Sequence, residues 1–390
     1  MPAQPINVLL VKMRSLNKHR AGWRLGLVAV AGFLLLAACE HSSALQPEPY
    51  PPAPPFSPLL PRRLTFNTGD DRTPAWLPDG SGILYSTERQ DRADHDRCLA
   101  VLPREGGTIR SSQCQLDPEH DDSTDLMEAP AVNANGQLFF HRVVSWVGQQ
   151  KLGASALMLG VADHPLQATM LQPLPYTAVN GRFHSTVRTP QWLGVDSLVY
   201  LAEQLFYEGS TFYPDTFTTG LDVVLLDLSG SEPRFEIVPG TDYASGLDVS
   251  DDGKSLFYTL GGDSRVFQRD LATGAVTTTY DFGIGNIVRD PQVNGNTLVA
   301  IVGRSVLYRF EEAHGYVQRD EGGDLVVVDL TTSQTVRFST DSVLFRHPAI
   351  SPDGVRVVVE TQPYDTVHHQ RVSEYNAPNH RADLWLFGLE

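Results

Sequence analysis

The sequence predicts an all-β fold: a six-bladed β-propeller of four-stranded blades, closed by pairing the N-terminal strand with the C-terminal strand. Three observations carry this. A phrase close to Pro-Ala-Trp followed by a Pro-Asp-Gly turn recurs six times, at Pro74, Pro130, Pro190, Leu247, Pro291 and Pro348, so the repeats are 44 to 60 residues long. Repeats of that length built from strands are the signature of propeller blades. Each repeat carries the same succession of strand and turn signals. The sixth repeat reaches Glu390 just after its third strand, while a spare strand, Arg63-Leu64-Thr65-Phe66-Asn67, stands before the first.

The elements follow in order. Residues 1–38 read as a targeting segment: Lys12, Arg14, Lys18, Arg20 and Arg24 form a basic region with no acidic residue before Glu40, and an apolar run extends from Leu25 to Ala38. That run is short for a membrane span. It ends in Leu36-Ala37-Ala38-Cys39, which looks like a bacterial lipobox with Cys39 as the diacylglycerol acceptor. Glu40, rather than Asp, follows it, which resembles the outer-membrane class of Gram-negative lipoproteins. Residues 39–61 form a Pro-rich tether, with Pro at 47, 49, 51, 52, 54, 55, 58 and 61 favouring extended polyproline conformation. Residues 62–390 form the propeller.

Within a repeat, a short apolar strand leads into a turn in which Pro presets φ and Gly supplies φ > 0, as in Leu77-Pro78-Asp79-Gly80. A strand of β-branched and aromatic residues follows. A third strand reads Val223-Val224-Leu225-Leu226-Asp227-Leu228 in one repeat and Leu325-Val326-Val327-Val328-Asp329-Leu330 in another. A fourth, such as Arg234-Phe235-Glu236-Ile237-Val238, ends the repeat. Pairing the spare N-terminal strand with the last strand near Leu384–Phe387 would shelter both edges.

The phrases at residues 73–80 and 347–354 resemble the WD40-like repeat, or PD40 repeat, of the TolB-type propellers, and the resemblance extends over residues 62–390. The middle repeats depart from it, with Asn133-Ala134-Asn135-Gly136 and Gly194-Val195-Asp196 at the turn. The resemblance implies a six-bladed propeller and no single activity, since fold and function separate.

Removing residues 1–38 leaves 25 Lys+Arg against 46 Asp+Glu. An acidic chain of this kind is no partner for nucleic acid and does not adhere to anionic lipid by charge. Beyond Cys39 the cysteines are Cys98 and Cys114, flanking a hairpin with Glu105-Gly106-Gly107 at its turn. Pairing Arg104 with Thr108 sets Cys98 opposite Cys114, and an exported chain oxidises such a pair. Two reduced cysteines are the other reading.

Nucleophile-elbow, zincin, Walker and C-x-x-C patterns are missing from the sequence. A different pattern stands two residues before each repeat proline or its equivalent: Arg72, Glu128, Arg188, Ser245, Arg289 and Arg346. These positions are expected around the channel mouth. Arg72, Arg188, Arg289 and Arg346, with Glu128 beside them, are candidate ligands for a carboxylate or phosphate. The competing reading is bracing, with Asp70, Asp71, Glu128 and Asp290 as counter-charges. Insertions at 87–97, 142–155, 202–221, 302–323 and 361–382 carry aromatics such as Trp146, Phe206, Tyr213, Tyr316 and Tyr375, which serve recognition or pin the loops. His184, His347, His368, His369 and His380 share that face, but their spacing gives no metal-ligand set, and neither metal nor cofactor is expected.

Two functions remain. The first is a lipid-anchored binding module of the cell envelope that docks a protein, peptide or glycan on its loop face. The second is a metal-dependent lyase or hydrolase acting on an anionic polysaccharide in the channel mouth; some single-domain TolB-like propellers are lyases with a His-bound metal. The lipobox generates the first prediction. Cys39→Ser should release or mislocalise the protein, and fractionation of cells expressing it should find unprocessed or unanchored chain; a processed, membrane-bound product would refute the anchor.

Overall fold

In the computed structural model, the described residues are 60–66, 69–88, 96–113, 123–146, 154–174, 176–177, 183–208, 215–303, 306–308, 317–319, 322–340, 343–365, 370–371 and 382–389. They build an all-β propeller of four-stranded blades. Among them no helix is long and apolar enough to cross a membrane.

Four sheets correspond to one repeat each. Strands Phe183–Trp192, Ser197–Glu208, Asp215–Asp227 and Arg234–Ile237 pair in chain order, with Tyr176–Thr177 added at one edge. Ala244–Val249, Ser255–Leu260, Arg265–Asp270 and Val276–Asp281 make the next sheet, and Ile287–Asn294, Thr297–Gly303, Asp324–Asp329 and Thr335–Phe338 the one after. The last repeat supplies Val343–Ile350, Arg356–Asp365 and Asp383–Gly388, and its outer position is taken by Arg62–Arg63, antiparallel with Arg62 opposite Leu386 and Arg63 opposite Trp385. Leu64 N–H continues the pairing to the Leu384 carbonyl at 2.7 Å. The sequence predicts six separate blades. The structure instead merges the first two repeats into one eight-stranded sheet, because a parallel bridge between Arg97 and Leu126 joins Arg97–Pro103 to Ser123–Val132.

Along the first hairpin of the sheet, Leu99, Ala100 and Val101 face Gln113, Ser112 and Ser111, the register that the Arg104–Thr108 pairing implies. Cys98 is disulfide-bonded. Cys114, its expected partner, lies outside the described residues.

The first strand of each repeat explains the recurring phrase. The residue before the repeat proline holds positive φ at Thr73 (48°), Ala129 (49°), Thr189 (48°), Asp290 (46°) and His347 (42°). L-residues avoid this region, and a following proline disfavours the ordinary helical one. At each of these positions two residues oppose one across the strand pair, as between Arg72 and Ala75 or Arg346 and Ala349. Such bulges bend a strand and re-aim its side chains. The fourth repeat moves the irregularity to Ala244/Gly246. A Cβ on Gly246 would lie 2.2 Å from the Asp290 backbone nitrogen, so glycine is needed where the next repeat passes so closely.

The worn turn of the second repeat keeps its geometry by other means. Gly80 N–H reaches the Leu77 carbonyl at 2.8 Å, and Gly136 N–H reaches the Asn133 carbonyl at 2.9 Å. Asn133 Oδ1 also accepts the N–H groups of Asn135 and Gln137, each at 3.0 Å, so the side chain organises a turn that lacks its proline.

Core side chains cluster between neighbouring repeats. Phe139, Leu157, Leu198 and Tyr200 join the second and third; Val199, Leu201, Leu247 and Tyr258 join the third and fourth; Val299, Ile301, Val357 and Val359 join the fifth and last. Polar bonds between inner strands add direction. Trp76 Nε1 donates to the Ala349 carbonyl at 2.9 Å, Trp192 Nε1 to the Ala131 carbonyl at 3.2 Å, and Asp248 Oδ2 accepts the Val293 N–H at 2.6 Å. Burial pushes the Asp248 carboxyl up to about 7 against the pull of that N–H.

Leu64 joins the N-terminal segment to the rest. It is 1% exposed in a cluster with Trp76, Ile83, Tyr85 and Leu102 of the first repeat and Val358, Leu384 and Leu386 of the last. Leu64→Ala should therefore cost about 2–5 kcal/mol, read by urea unfolding. A change under about 1 kcal/mol would mean that the segment adds little to the fold.

Candidate functional site

The bulged first strands converge on two adjoining cavities. The repeat phrase lines the first, of about 250 Å³, with Pro74, Trp76, Pro130, Pro190, Trp192 and Pro348 on its wall. Because proline donates no N–H, these inner edges lose a donor that would otherwise need a partner. The second cavity, about 190 Å³, is the mouth. Arg72, Glu128, Arg188, Arg346, His347 and Glu360 line it.

Four of the five charged residues that the sequence singles out thus meet in one cavity: Arg72, Glu128, Arg188 and Arg346. Arg289 differs. It is 5% exposed and belongs to neither cavity wall. In the fourth repeat, Ser245 turns its hydroxyl to Thr259 Oγ1 at 2.9 Å and to the Val288 carbonyl at 3.3 Å, a contact between repeats.

Bracing and presentation occur together. Arg72 is bonded by Asp70, which is 1% exposed and also lies 3.7 Å from Arg97. Arg97 in turn bonds Glu128. Asp290, another expected counter-charge, accepts the His347 N–H at 3.3 Å. Arg346 Nη1 donates to Gln362 Oε1 at 3.0 Å. Arg188 is exposed on the cavity wall.

The residue that sequence reasoning missed is Glu360. Its signal is an acid directly after Val357-Val358-Val359 in an otherwise apolar strand, opposite Arg346 in the register. Glu360 is 0% exposed. Its Oε2 lies 2.9 Å from His347 Nδ1 and accepts the Thr73 N–H at 3.1 Å, linking the last repeat to the first. Burial alone would raise its pKa, but His347, then Arg346 and Arg72, hold the carboxyl well below the usual carboxylate range. Glu360 Oε1 is buried without a hydrogen bond. A second Glu–His pairing stands one blade beyond the first repeat, where Glu128 faces His141 across the strands. Burial lowers the His141 pKa, opposed by Glu128, and His141 Nε2 lies 2.6 Å from Ser155 Oγ.

This arrangement can bind an anion through guanidinium groups and can orient an imidazole against a fixed carboxylate. Among the described residues, no three His, Cys, Asp or Glu side chains come together to hold a metal ion. The His184 side chain, His368, His369 and His380 lie outside them, as do the side chains of Trp146, Phe206, Tyr213, Tyr316 and Tyr375.

No family model matches the chain, and no curated protein sequence is similar to it. Solved structures are similar in fold. A gluconolactonase from Xanthomonas campestris is 14% identical with a TM-score of 0.50, over 85% of this chain and 89% of that one. An oligogalacturonate lyase in complex with manganese is 12% identical with a TM-score of 0.47, over 85% and 93%. TolB from Acinetobacter baumannii is 13% identical with a TM-score of 0.44, over 83% of this chain and 64% of TolB. At such identities the likeness is one of fold, and it assigns no activity.

The buried carboxylate generates a prediction. A group held below its ordinary value, here 4.5, contributes stability that is present above that pH and is lost as pH falls. Glu360→Gln should cost about 3 kcal/mol near neutral pH, because Arg72, Arg346 and His347 lose their shared counter-charge. Its loss of stability on acidification should also be shallower than that of the parent, as read by urea midpoints across pH; parallel profiles would exclude Glu360 as a source of acid sensitivity.

Proposed function

We propose that the chain is an exported, lipid-anchored binding module of the bacterial cell envelope, in the outer membrane, that captures an anionic group of a protein, peptide or glycan at the channel mouth. The observation that carries this is the meeting of Arg72, Arg188 and Arg346 on one cavity wall in a chain of net charge −16. Residues 1–38 serve as the signal peptide, Cys39 carries the lipid, and residues 39–61 are the tether. Residues 62–390 are read as a closed, six-bladed TolB-like ring. The division of the eight-stranded sheet at its parallel bridge and the pairing of Arg62–Arg63 with Asp383–Gly388 support that count. The register of Leu99 with Gln113 supports Cys114 as the partner of Cys98.

The ligand class follows from the donors. Guanidinium groups match carboxylate and phosphate in planar, two-point contact. Arg188 is the arginine of this cavity that is exposed to solvent, and it is read as the principal contact. One observation also favours an enzyme: His347, oriented by buried Glu360 within the same cavity, is placed to move a proton on a bound uronate. Release of unsaturated product from polygalacturonate by purified protein, lost in His347→Gln, would establish that reading.

Arg188→Gln should weaken binding of an acidic peptide or oligouronate by about 10- to 100-fold, since one charge-assisted bond is lost. Its thermal midpoint should stay within about 2 °C of the parent, as for an exposed substitution. Calorimetry and a melting curve decide it. Binding that survives, with a lowered midpoint, would make the arginine a brace and move the ligand site elsewhere.

A further inference from the structure

Along four of the inner strands the channel is laid out in the same order. Arg72, Glu128, Arg188 and Arg346 line the mouth; the residues next to them, Thr73, Ala129, Thr189 and His347, line both cavities; and Pro74, Pro130, Pro190 and Pro348 line the inner chamber. The four shared residues are all held at positive φ, from 42° to 49°. Strained backbone thus forms a collar between a charged mouth and an apolar chamber, and strain of this kind clusters where ligands are held.

The chamber offers little to a charge. Its prolines carry no N–H. The indole N–H groups of Trp76 and Trp192 are given to the Ala349 and Ala131 carbonyls at 2.9 and 3.2 Å, and Gln292 Nε2 donates to the Pro291 carbonyl at 3.2 Å. Its volume of about 250 Å³ suits one apolar side chain, since a cavity of about 150 Å³ already holds a benzene ring. The mouth offers charge, and of one unit. Among the described residues on its wall, the guanidinium groups of Arg72, Arg188 and Arg346 stand against the carboxylates of Glu128 and Glu360, an excess of one positive charge before His347 is counted.

We propose that the channel takes the C-terminus of a peptide whose last side chain is apolar, with the α-carboxylate at the arginines of the mouth and the side chain passed through the collar into the chamber. This rests on reading the mouth as the place where an anionic group is captured. The last α-carbon of a peptide carries both groups, so a single residue spans two cavities that share a wall. Its one negative charge matches the excess at the mouth. An aspartate or glutamate within a chain has nothing apolar beyond its carboxylate and leaves the chamber unfilled. A uronate would set hydroxyls against proline and indole, where they lose the partners that water gives them. Capture of a terminal carboxylate is one of the recurring modes of peptide recognition.

Calorimetry on the full-length protein with capped peptides is the test. Acetyl-Gly-Ser-Gly-Ser-Gly-Leu with a free carboxylate should bind at least about ten-fold more tightly than its C-terminal amide, and about 10- to 100-fold more tightly than the same peptide ending in serine. Arg188→Gln should weaken the free acid by about ten-fold and leave the amide unchanged. Ala75→Leu, which adds volume on the chamber wall, should remove the advantage of leucine over serine. Equal binding of acetyl-Gly-Ser-Glu-Ser-Gly-Leu-amide or of trigalacturonate, lost in Arg188→Gln, would overturn the proposal while leaving the mouth a site for anions. So would equal binding of the leucine and serine peptides, or a leucine advantage kept in an Ala75→Leu protein that melts as the parent does. If no acid binds, or none is weakened by Arg188→Gln, the reading of the mouth fails and the proposal with it.

Discussion

The innermost strands depend on a backbone conformation that L-residues avoid. In five repeats the residue before the repeat proline, or its equivalent, sits at φ between 42° and 49°, in side chains as different as Thr73, Ala129, Asp290 and His347. Such a conformation costs about 1–3 kcal/mol and persists only where surrounding structure over-determines it. Here the neighbours supply that constraint. Thr73 N–H is held by Glu360 of the last repeat, Ala129 N–H by Thr73 Oγ1 of the first, and His347 N–H by Asp290 of the fifth. Three of the five strained residues are thus fixed by a bond from the adjoining repeat.

The same device builds the candidate site. In the first, second, third and last repeats the residue just before the bulge, two places before the proline, lines a shared cavity. Charges that would repel one another are interleaved with carboxylates: Asp70 between Arg72 and Arg97, Glu128 on Arg97, and Glu360 among Arg72, Arg346 and His347. Bracing and binding are therefore not exclusive. Arg72, Arg97 and Arg346 are engaged by the scaffold, while Arg188 stands exposed on the same cavity wall.

Much of the architecture was legible in residues. The recurring proline marks the inner strand because a strand edge facing a channel can do without an N–H, and the unbroken apolar runs Leu198–Tyr200 and Val357–Val359 mark strands buried on both faces. Counting placed a spare strand at residues 63–67, whereas the strand that pairs with Asp383–Gly388 is the shorter Arg62–Arg63. The merging of the first two repeats was not legible, because one parallel bridge at Arg97 depends on how two blades approach rather than on either sequence. At the mouth, the slot was legible for Arg72, Glu128, Arg188 and Arg346. Arg289 occupies the same slot in sequence yet is buried away from the cavity, and Ser245 is used as a contact between repeats.

The sequence by itself determined the repeat, its strand order, the turn chemistry and the acidic balance of the chain, because periodicity, proline and glycine act locally on the backbone. Tertiary structure alone decided which charges meet. Glu360 reads in sequence as one acid after a run of valines, and only the packing of the last repeat against the first brings it to Arg72, Arg346 and His347, out of water and able to hold two guanidinium groups and an imidazole together. The physical reason is that the energy of a charge depends on its distance to other charges and to solvent, and both are set by the docking of one repeat on the next.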